Sequence, residues 1–385
     1  MRRIIHILSE TMNSVMTKYI YEYEKWPDFT WDDKQISVIL GKVRHFQGKI
    51  FGQMDALGFS MKEETMLSTL TLDVLKSSEI EGEFLNFNQV RSSIARRLGI
   101  NYAGITHSHR DVEGVVEMML DATQNFDKPN SQERIFGWHA ALFPTGWSGL
   151  HRIESGKYRT KEMQVVSGAI GREKIHYQAP SPSVLTKEMD VFLDWYNQEN
   201  HVDGVLKAAI AHFWFIIIHP FDDGNGRIAR AISDMLLARS EESNQRFYSL
   251  SNQILIEKKK YYEILQQVQH SSGDITDWLN WFLHCLYKAL QNTELLMTRV
   301  IKKADFWEQN KETILNSRQR LILNKIFDGF NGKLTTSKWA KITKCSADTA
   351  LRDIKDLIIK DILMQQSAGG RSTNYELTEA WKLDK

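Results

Sequence analysis

Cysteine is nearly absent from this chain: 385 residues include only Cys285 and Cys345. A disulfide scaffold and a cysteine-rich zinc site are excluded, and a reducing compartment is expected. Proline is also scarce, six in all, which argues against long disordered linkers and for a mostly helical chain. Neither sign of charge is in excess. Lys and Arg number 49 against 48 Asp and Glu, leaving +1, so no global field draws the protein onto nucleic acid or membrane. No apolar run approaches the roughly 18 residues of a membrane span; the longest, Phe213 to Ile218, is closed by His219 and Pro220. The opening MRRIIHILSE has too short an apolar stretch for a secretory signal and lacks a small-residue cleavage site. These absences point to a cytoplasmic protein with no membrane partner, whose residues 1–20 form a poorly ordered extension.

What is present is helical periodicity. Ile36, Ile39, Leu40, Val43, Phe46, Ile50 and Met54 recur at three- and four-residue steps, the pattern of an amphipathic helix. Further helices are predicted over 61–80, stopped at Gly82, and over 87–98, stopped at Gly99. Others are predicted over 110–126, 131–142, 183–199, 204–217, 225–239, 257–270 and 274–298. The glycine-rich stretch 145–182 breaks this rhythm. Gln164-Val165-Val166 and Lys174-Ile175-His176-Tyr177 on either side of a turn read as one hairpin. After about Asp305 the plan changes to helices over 317–329, 336–343 and 347–360, then Ile362–Gln365, a glycine turn and Tyr375–Leu377. Three helices and two strands are the layout of a winged helix-turn-helix. Across 301–385, sixteen Lys and Arg face eleven Asp and Glu, a modest positive excess. The fold class expected is all-α with a hairpin, plus a C-terminal winged helix-turn-helix.

Chemistry concentrates in His219 to Arg230, HPFDDGNGRIAR. The segment lies between two strongly apolar helical stretches, so it is a tight inter-helix loop. Gly224, Asn225 and Gly226 let successive backbone N–H groups turn toward one point, and such a nest at a helix N-terminus binds anions. Arg227 and Arg230 lie one turn apart on the same face. Arginine at a helix start opposes the helix dipole, so the pair suggests a ligand that brings negative charge. Asp223 offers oxygen to a divalent metal bridging phosphates, and His219 is a titratable base at the loop entrance. Taken singly these residues read as caps and an ordinary turn; together they describe a polyphosphate–metal site with a proton acceptor.

The combination resembles the signature of the Fic (Fido) family, HPFx[D/E]GNGRxxR, and meets each fixed position of it. That resemblance implies protein AMPylation, the transfer of AMP from ATP to a Ser, Thr or Tyr hydroxyl on a target protein and on the enzyme itself. His219 would be the general base. Asp223 would hold Mg²⁺ against the phosphates. Gly224, Asn225 and Gly226 would cradle the phosphates, Arg227 and Arg230 would neutralise them, and Phe221 would anchor the loop in the core. Relatives with Lys at the position of Gly226 resemble kinases, so Gly226 favours AMP transfer. The hairpin over 161–177 is similar to the family's flap, which holds a target segment by strand addition, and Gly156–Arg159 resembles an element upstream of it. YYEILQQVQ resembles the stretch enclosing adenine, which puts Tyr262 and Gln269 at the base.

Ser77 to Gly82, SSEIEG, matches the family's inhibitory pattern [S/T]xxxE[G/N] through Ser77, Glu81 and Gly82. By resemblance, Glu81 would pair with Arg230 and fill the γ-phosphate space. Some relatives carrying this glutamate remove AMP instead, and the direction stays open here. YEYEKWPDFTWDDKQI, within 21–60, resembles a helical domain ahead of Fic cores in bacterial proteins. The expected organisation is a helical domain over 21–100 carrying the inhibitory helix, a catalytic core over 101–298 and the winged-helix segment over 305–385. From another class comes a DNA-binding regulator that makes contact through 346–371, a segment that equally suits protein binding or a homodimer.

Overall fold

Few prolines and apolar residues at helical steps yield helices almost throughout. The computed structural model describes residues 3–5, 18–55, 59–100, 107–167, 174–199, 201–327, 332–366 and 373–382. After a short strand β1 (Arg3–Ile5) come α1 (Asp33–Asp55), α2 (Phe59–Ile80), α3 (Phe87–Leu98), α4 (Arg110–Gln124) and α5 (Gln132–Leu142). Four strands follow: β2 (Trp147–Ser148), β3 (His151–Arg152), β4 (Gln164–Ser167) and β5 (Lys174–Gln178). Then come α6 (Leu185–Asn197), α7 (Gly204–Ile218), α8 (Asn225–Ser240), α9 (Leu250–Ile256), α10 (Lys258–Val268) and α11 (Thr276–Gln309). The chain ends with α12 (Ser317–Phe327), α13 (Thr336–Thr343), α14 (Ala347–Ile359), β6 (Leu363–Gln365) and β7 (Tyr375–Leu377). It divides into two compact units, Met1–Gln291 and Asn292–Lys385.

The first unit is organised on α7. From Val205 to Ile218 only Lys207 and Ile216 escape full burial, and each large apolar side chain so buried contributes about 1.5–3 kcal/mol. The Asp203 carboxylate starts this helix by accepting the Val205 N–H at 2.8 Å. His219 ends it in the left-handed region, φ 51. Asn86 caps α3 through the N–H groups of Asn88 and Gln89, and Gly99 closes it at φ 69. Where α4 meets α5, a Cβ on Gly114 would lie 1.7 Å from the Ala141 carbonyl oxygen, so this crossing admits glycine alone. The C-terminal half of α2 is fixed by Asp73, whose carboxylate accepts from Ser249 Oγ at 2.5 Å and Ser251 N–H at 3.1 Å. Lys258 Nζ donates to the last carbonyl of α2, that of Ile80.

Four features depart from expectation. Beside the expected hairpin, β4 with β5, stands a second small ladder in which Trp147 faces Arg152 and Ser148 faces His151. Two-residue strands are too short to give a periodic signal. The short helix α9 was hidden between turn signals, and α11 runs on to Gln309. Within the expected extension 1–20, Arg3–Ile5 pair antiparallel with β4, giving the sheet order β1-β4-β5. The hairpin turn, 168–173, lies outside the described residues.

The second unit packs α12, α13 and α14 with the antiparallel pair β6–β7, Leu363 facing Leu377. Its core includes Phe306, Leu323, Phe327, Trp339, Ile354 and Leu357. On α14, Asp353 is held by Arg318 at 2.7 Å and Asp356 by Lys360 at 2.5 Å, so these two acids are engaged within the unit. The glycine turn expected between these strands, 367–372, lies outside the described residues. Among the described residues no helix is long and apolar enough to cross a membrane.

Candidate active site

The buried α7 delivers His219 to the loop, and Gly224, at φ 82, turns the chain into α8. Between them Phe221 is fully buried and stacks on the His139 ring, 4.1 Å between centroids. Asn225 latches the loop on itself, its Nδ2 donating to the Phe221 carbonyl at 2.7 Å while its Oδ1 accepts the Phe221 N–H at 3.0 Å. Arg159, of the Gly156–Arg159 element, is 2% exposed. It donates to the carbonyls of His219 and Lys161, each at 2.9 Å, and to that of Pro180. One guanidinium therefore ties the loop to both ends of the β4–β5 hairpin. Tyr177 OH adds a bond to the Ile217 carbonyl.

His219 Nδ1 lies 3.2 Å from the Ile216 carbonyl. A carbonyl only accepts, so Nδ1 carries the proton and Nε2 keeps a lone pair. Burial, and next the Arg159 guanidinium, push this histidine down to about 4, which leaves it neutral and able to accept a proton at physiological pH. Asp223 accepts its neighbour Gly224 N–H at 2.6 Å through Oδ1 and the Ser148 hydroxyl through Oδ2. Ser148, from β2, was not foreseen; only the ladder brings it to Asp223. Among the described residues no group of three or more His, Cys, Asp or Glu is placed to hold a metal. One carboxylate beside an anion nest fits a magnesium ion held chiefly by phosphate oxygens and water.

Arg227 and Arg230 are 2% and 1% exposed. Arg230 donates through Nε to Ser77 Oγ at 2.9 Å and through Nη2 to the Ser77 carbonyl and Glu81 Oε1, both at 2.8 Å. Arg227 donates through Nη1 to Glu83 Oε2 at 2.5 Å. Among the described residues no acceptor meets Arg227 Nε and Nη2 or Arg230 Nη1. Leaving buried donors of a charged group unmet costs about 1–3 kcal/mol or more each, so these three are poised for an anion. Glu81 covers the start of α8: a Cβ on Gly226 would fall 2.2 Å from its Oε1. Ser77 and Glu81 thus both meet Arg230, and Gly82 follows Glu81 in the left-handed region at φ 89. The partner of Arg227, Glu83, lies two residues beyond Glu81 and outside the SSEIEG pattern, so that pattern does not mark it.

The adenine candidates separate. Tyr262 follows Tyr261, their rings 5.1 Å apart. Gln269, by contrast, is buried and donates through Nε2 to the His176 carbonyl of β5 at 2.6 Å, so its amide supports the hairpin. Beside Tyr261 runs a buried relay in which Tyr261 OH meets His212 Nε2 at 3.0 Å and Nδ1 meets Ser233 Oγ at 2.9 Å.

Burial lowers His139 to about 4 and His212 to about 3, from an ordinary 6.5. From pH 6.5 downward the unfolded chain binds protons that the folded chain refuses. Stability is therefore complete above pH 6.5 and falls on acidification, by about 1.4 kcal/mol per pH unit for each of these two buried rings. Urea unfolding at pH 7.5, 6 and 5 checks this: His212→Gln should reduce the acid slope by about one such increment, and an unchanged slope would contradict it.

A family model described as Fic/DOC family matches residues 129–237, and one described as a domain of unknown function (DUF4172) matches residues 19–100. Protein adenylyltransferase Fic of Nematostella vectensis is 24% identical over 224 residues, covering 56% of this chain and 47% of that protein. A probable protein adenylyltransferase of Aquifex aeolicus is 24% identical over 276 residues, covering 68% of this chain and 75% of that protein. The chain spans half or less of the length of the animal relatives named Fic or fic-1, such as those of Nematostella vectensis and Caenorhabditis elegans. In fold it is similar to a Fic family protein from Desulfovibrio desulfuricans, with a TM-score of 0.50 at 20% identity over 92% of this chain and 98% of that one.

Proposed function

From the premise that residues 129–237 are a Fic/DOC family domain, we propose that this protein is a self-inhibited adenylyltransferase that moves AMP from ATP to a protein hydroxyl. The observation that carries the reading is a loop that holds His219 by its Nδ1 on the Ile216 carbonyl and runs straight into a helix start where Arg227 and Arg230 keep buried guanidinium donors that no described acceptor meets. Arg227 and Arg230 bind and orient the triphosphate, with the N–H groups of Gly224 to Gly226 adding a positive helix end. His219 Nε2 accepts the proton of the incoming hydroxyl as its oxygen bonds to the α-phosphorus. The bond from that phosphorus to the bridging oxygen breaks, and pyrophosphate leaves. Asp223 would hold Mg²⁺, which when bound offsets charge on the phosphates. Positioning and charge neutralisation supply most of the catalysis in such a transfer.

Glu81 is the brake in this reading, since its carboxylate takes an Arg230 donor and covers Gly226. A target segment docks along the hairpin 161–177. The C-terminal unit is read as a winged helix serving DNA contact through 346–371 or homodimer formation, in a bacterial cytoplasm. The test is ATP labelled at either end, given to a Glu81→Gly variant with Mg²⁺ and a cell lysate. Label from the α-phosphate should enter protein and label from the γ-phosphate should not; the opposite pattern makes the enzyme a kinase, and label from neither removes the transferase.

A further inference from the structure

We infer that Glu83 is a second lock on the triphosphate pocket, holding Arg227 as Glu81 holds Arg230, so that the site is closed by two carboxylates carried on one turn. The inference rests on the nucleotide-binding reading above and adds to it a positioning residue for Arg227.

The geometry begins at the end of α2. Glu81 N–H and Glu83 N–H both donate to the Ser78 carbonyl at 3.0 Å, and Gly82 N–H donates to that of Glu79 at 3.1 Å. Gly82 sits at φ 89, a left-handed backbone that glycine adopts without strain. This turn reverses the chain so that acids two positions apart both reach the start of α8. Each takes a different arginine of HPFDDGNGRIAR: Glu81 takes Arg230 at 2.8 Å and Glu83 takes Arg227 at 2.5 Å. Both guanidinium groups are almost wholly buried, and a buried cation is strongly tied to whichever anion is present. The carboxylates, on Arg227 Nη1 and Arg230 Nη2, and the phosphates therefore compete for the same two guanidinium groups.

The locks differ in access. The Glu83 side chain is 43% exposed against 27% for Glu81. Partial burial pushes the Glu83 carboxyl above its ordinary range; Arg227 opposes the shift, and the nearby charges of Asp223, Glu81 and Asp111 add to it. Glu83 thus has solvent to swing into, whereas Glu81 lies over Gly226. Removing Glu81 takes the carboxylate off Arg230 but leaves Arg227 Nη1 on Glu83, so the incoming triphosphate still meets one guanidinium whose charge is shared with a carboxylate.

The test is a four-member set of full-length proteins: wild type, Glu81→Gly, Glu83→Gln and the double variant. Calorimetry measures binding of tripolyphosphate alone and of MgATP. In the Glu81→Gly background, Glu83→Gln should tighten both by about tenfold. In the wild-type background it should change them twofold or less, because Glu81 still covers the cradle. Glu83→Asp, which keeps the charge, should restore the weaker binding, an effect that lost packing would not reproduce. A Glu83→Gln change within twofold in the Glu81→Gly background overturns the lock, as does weaker binding, which would make Glu83 a support for the bound anion. Should neither ligand bind any of the four proteins, the nucleotide pocket itself is refuted. Binding to Glu81→Gly that Glu83→Gln leaves unmoved refutes the second lock alone.

Discussion

In a Glu81→Gly background, replacing His219 with Ala should lower AMP transfer by two to four orders of magnitude, the usual loss when a general base is removed. The expectation follows from one imidazole's surroundings. Its Nδ1 proton is held by the Ile216 carbonyl, which turns Nε2 outward as the acceptor. Burial and Arg159 keep the ring neutral down to about pH 4, so the base form prevails wherever the protein is folded. Transfer should accordingly be flat from pH 8 to 6, with no loss near the ordinary histidine pKa of 6.5. The controls are MgATP affinity by calorimetry and the urea midpoint, because Ala at φ 51 carries the same backbone strain as His. Unchanged binding with lost transfer assigns a role in the chemical step. Full-rate transfer by His219→Ala would remove the base.

Replacing Glu81 with Gly should act in the other direction, raising self-labelling by about 10- to 100-fold, equivalent to about 1.4–2.7 kcal/mol. Glu81 takes one Arg230 donor and stands where the cradle opens over Gly226. An anion must displace it, and a bias of this size is ordinary for a two-state switch. Ser77 continues to hold Arg230 through Nε and Nη2, so the arginine stays in place when the glutamate is gone. Initial rates with α-labelled ATP at saturating Mg²⁺ measure the gain. Equal rates for wild type and variant would mean that the carboxylate is no brake.

The parts of this molecule that depend on local spacing were legible beforehand. The α1, α3, α5, α7 and α8 spans follow from apolar periodicity and from Gly99 as a stop, while the capping by Asn86, Ser131 and Asp203 is a finding of the structure. HPFDDGNGRIAR and SSEIEG carry their meaning in fixed intervals, and the structure brings them to one place. Contacts made at a distance were not legible. Ser148 reaches Asp223 across 75 positions, by way of a ladder of two-residue strands. The pairing of Arg3–Ile5 with β4 spans some 160 residues, and nothing local announces it. The resemblance of YYEILQQVQ puts Gln269 at the adenine base, and no interval along the chain announces the bond its amide makes to the His176 carbonyl of β5. Glu83 stayed hidden for a related reason: acids two apart on a helix point in different directions, and only the turn at Gly82 aligns them.

Gly226 has an evolutionary corollary. Its missing Cβ is the room that the Glu81 carboxylate occupies, with 2.2 Å between the two. Any larger residue at 226 would evict the glutamate in the same mutational step that reshapes the nucleotide bed. A descendant that altered its donor chemistry at this position would lose the Glu81 restraint in the same step and keep only the pairing of Glu83 with Arg227, which would then bear the whole task of silence.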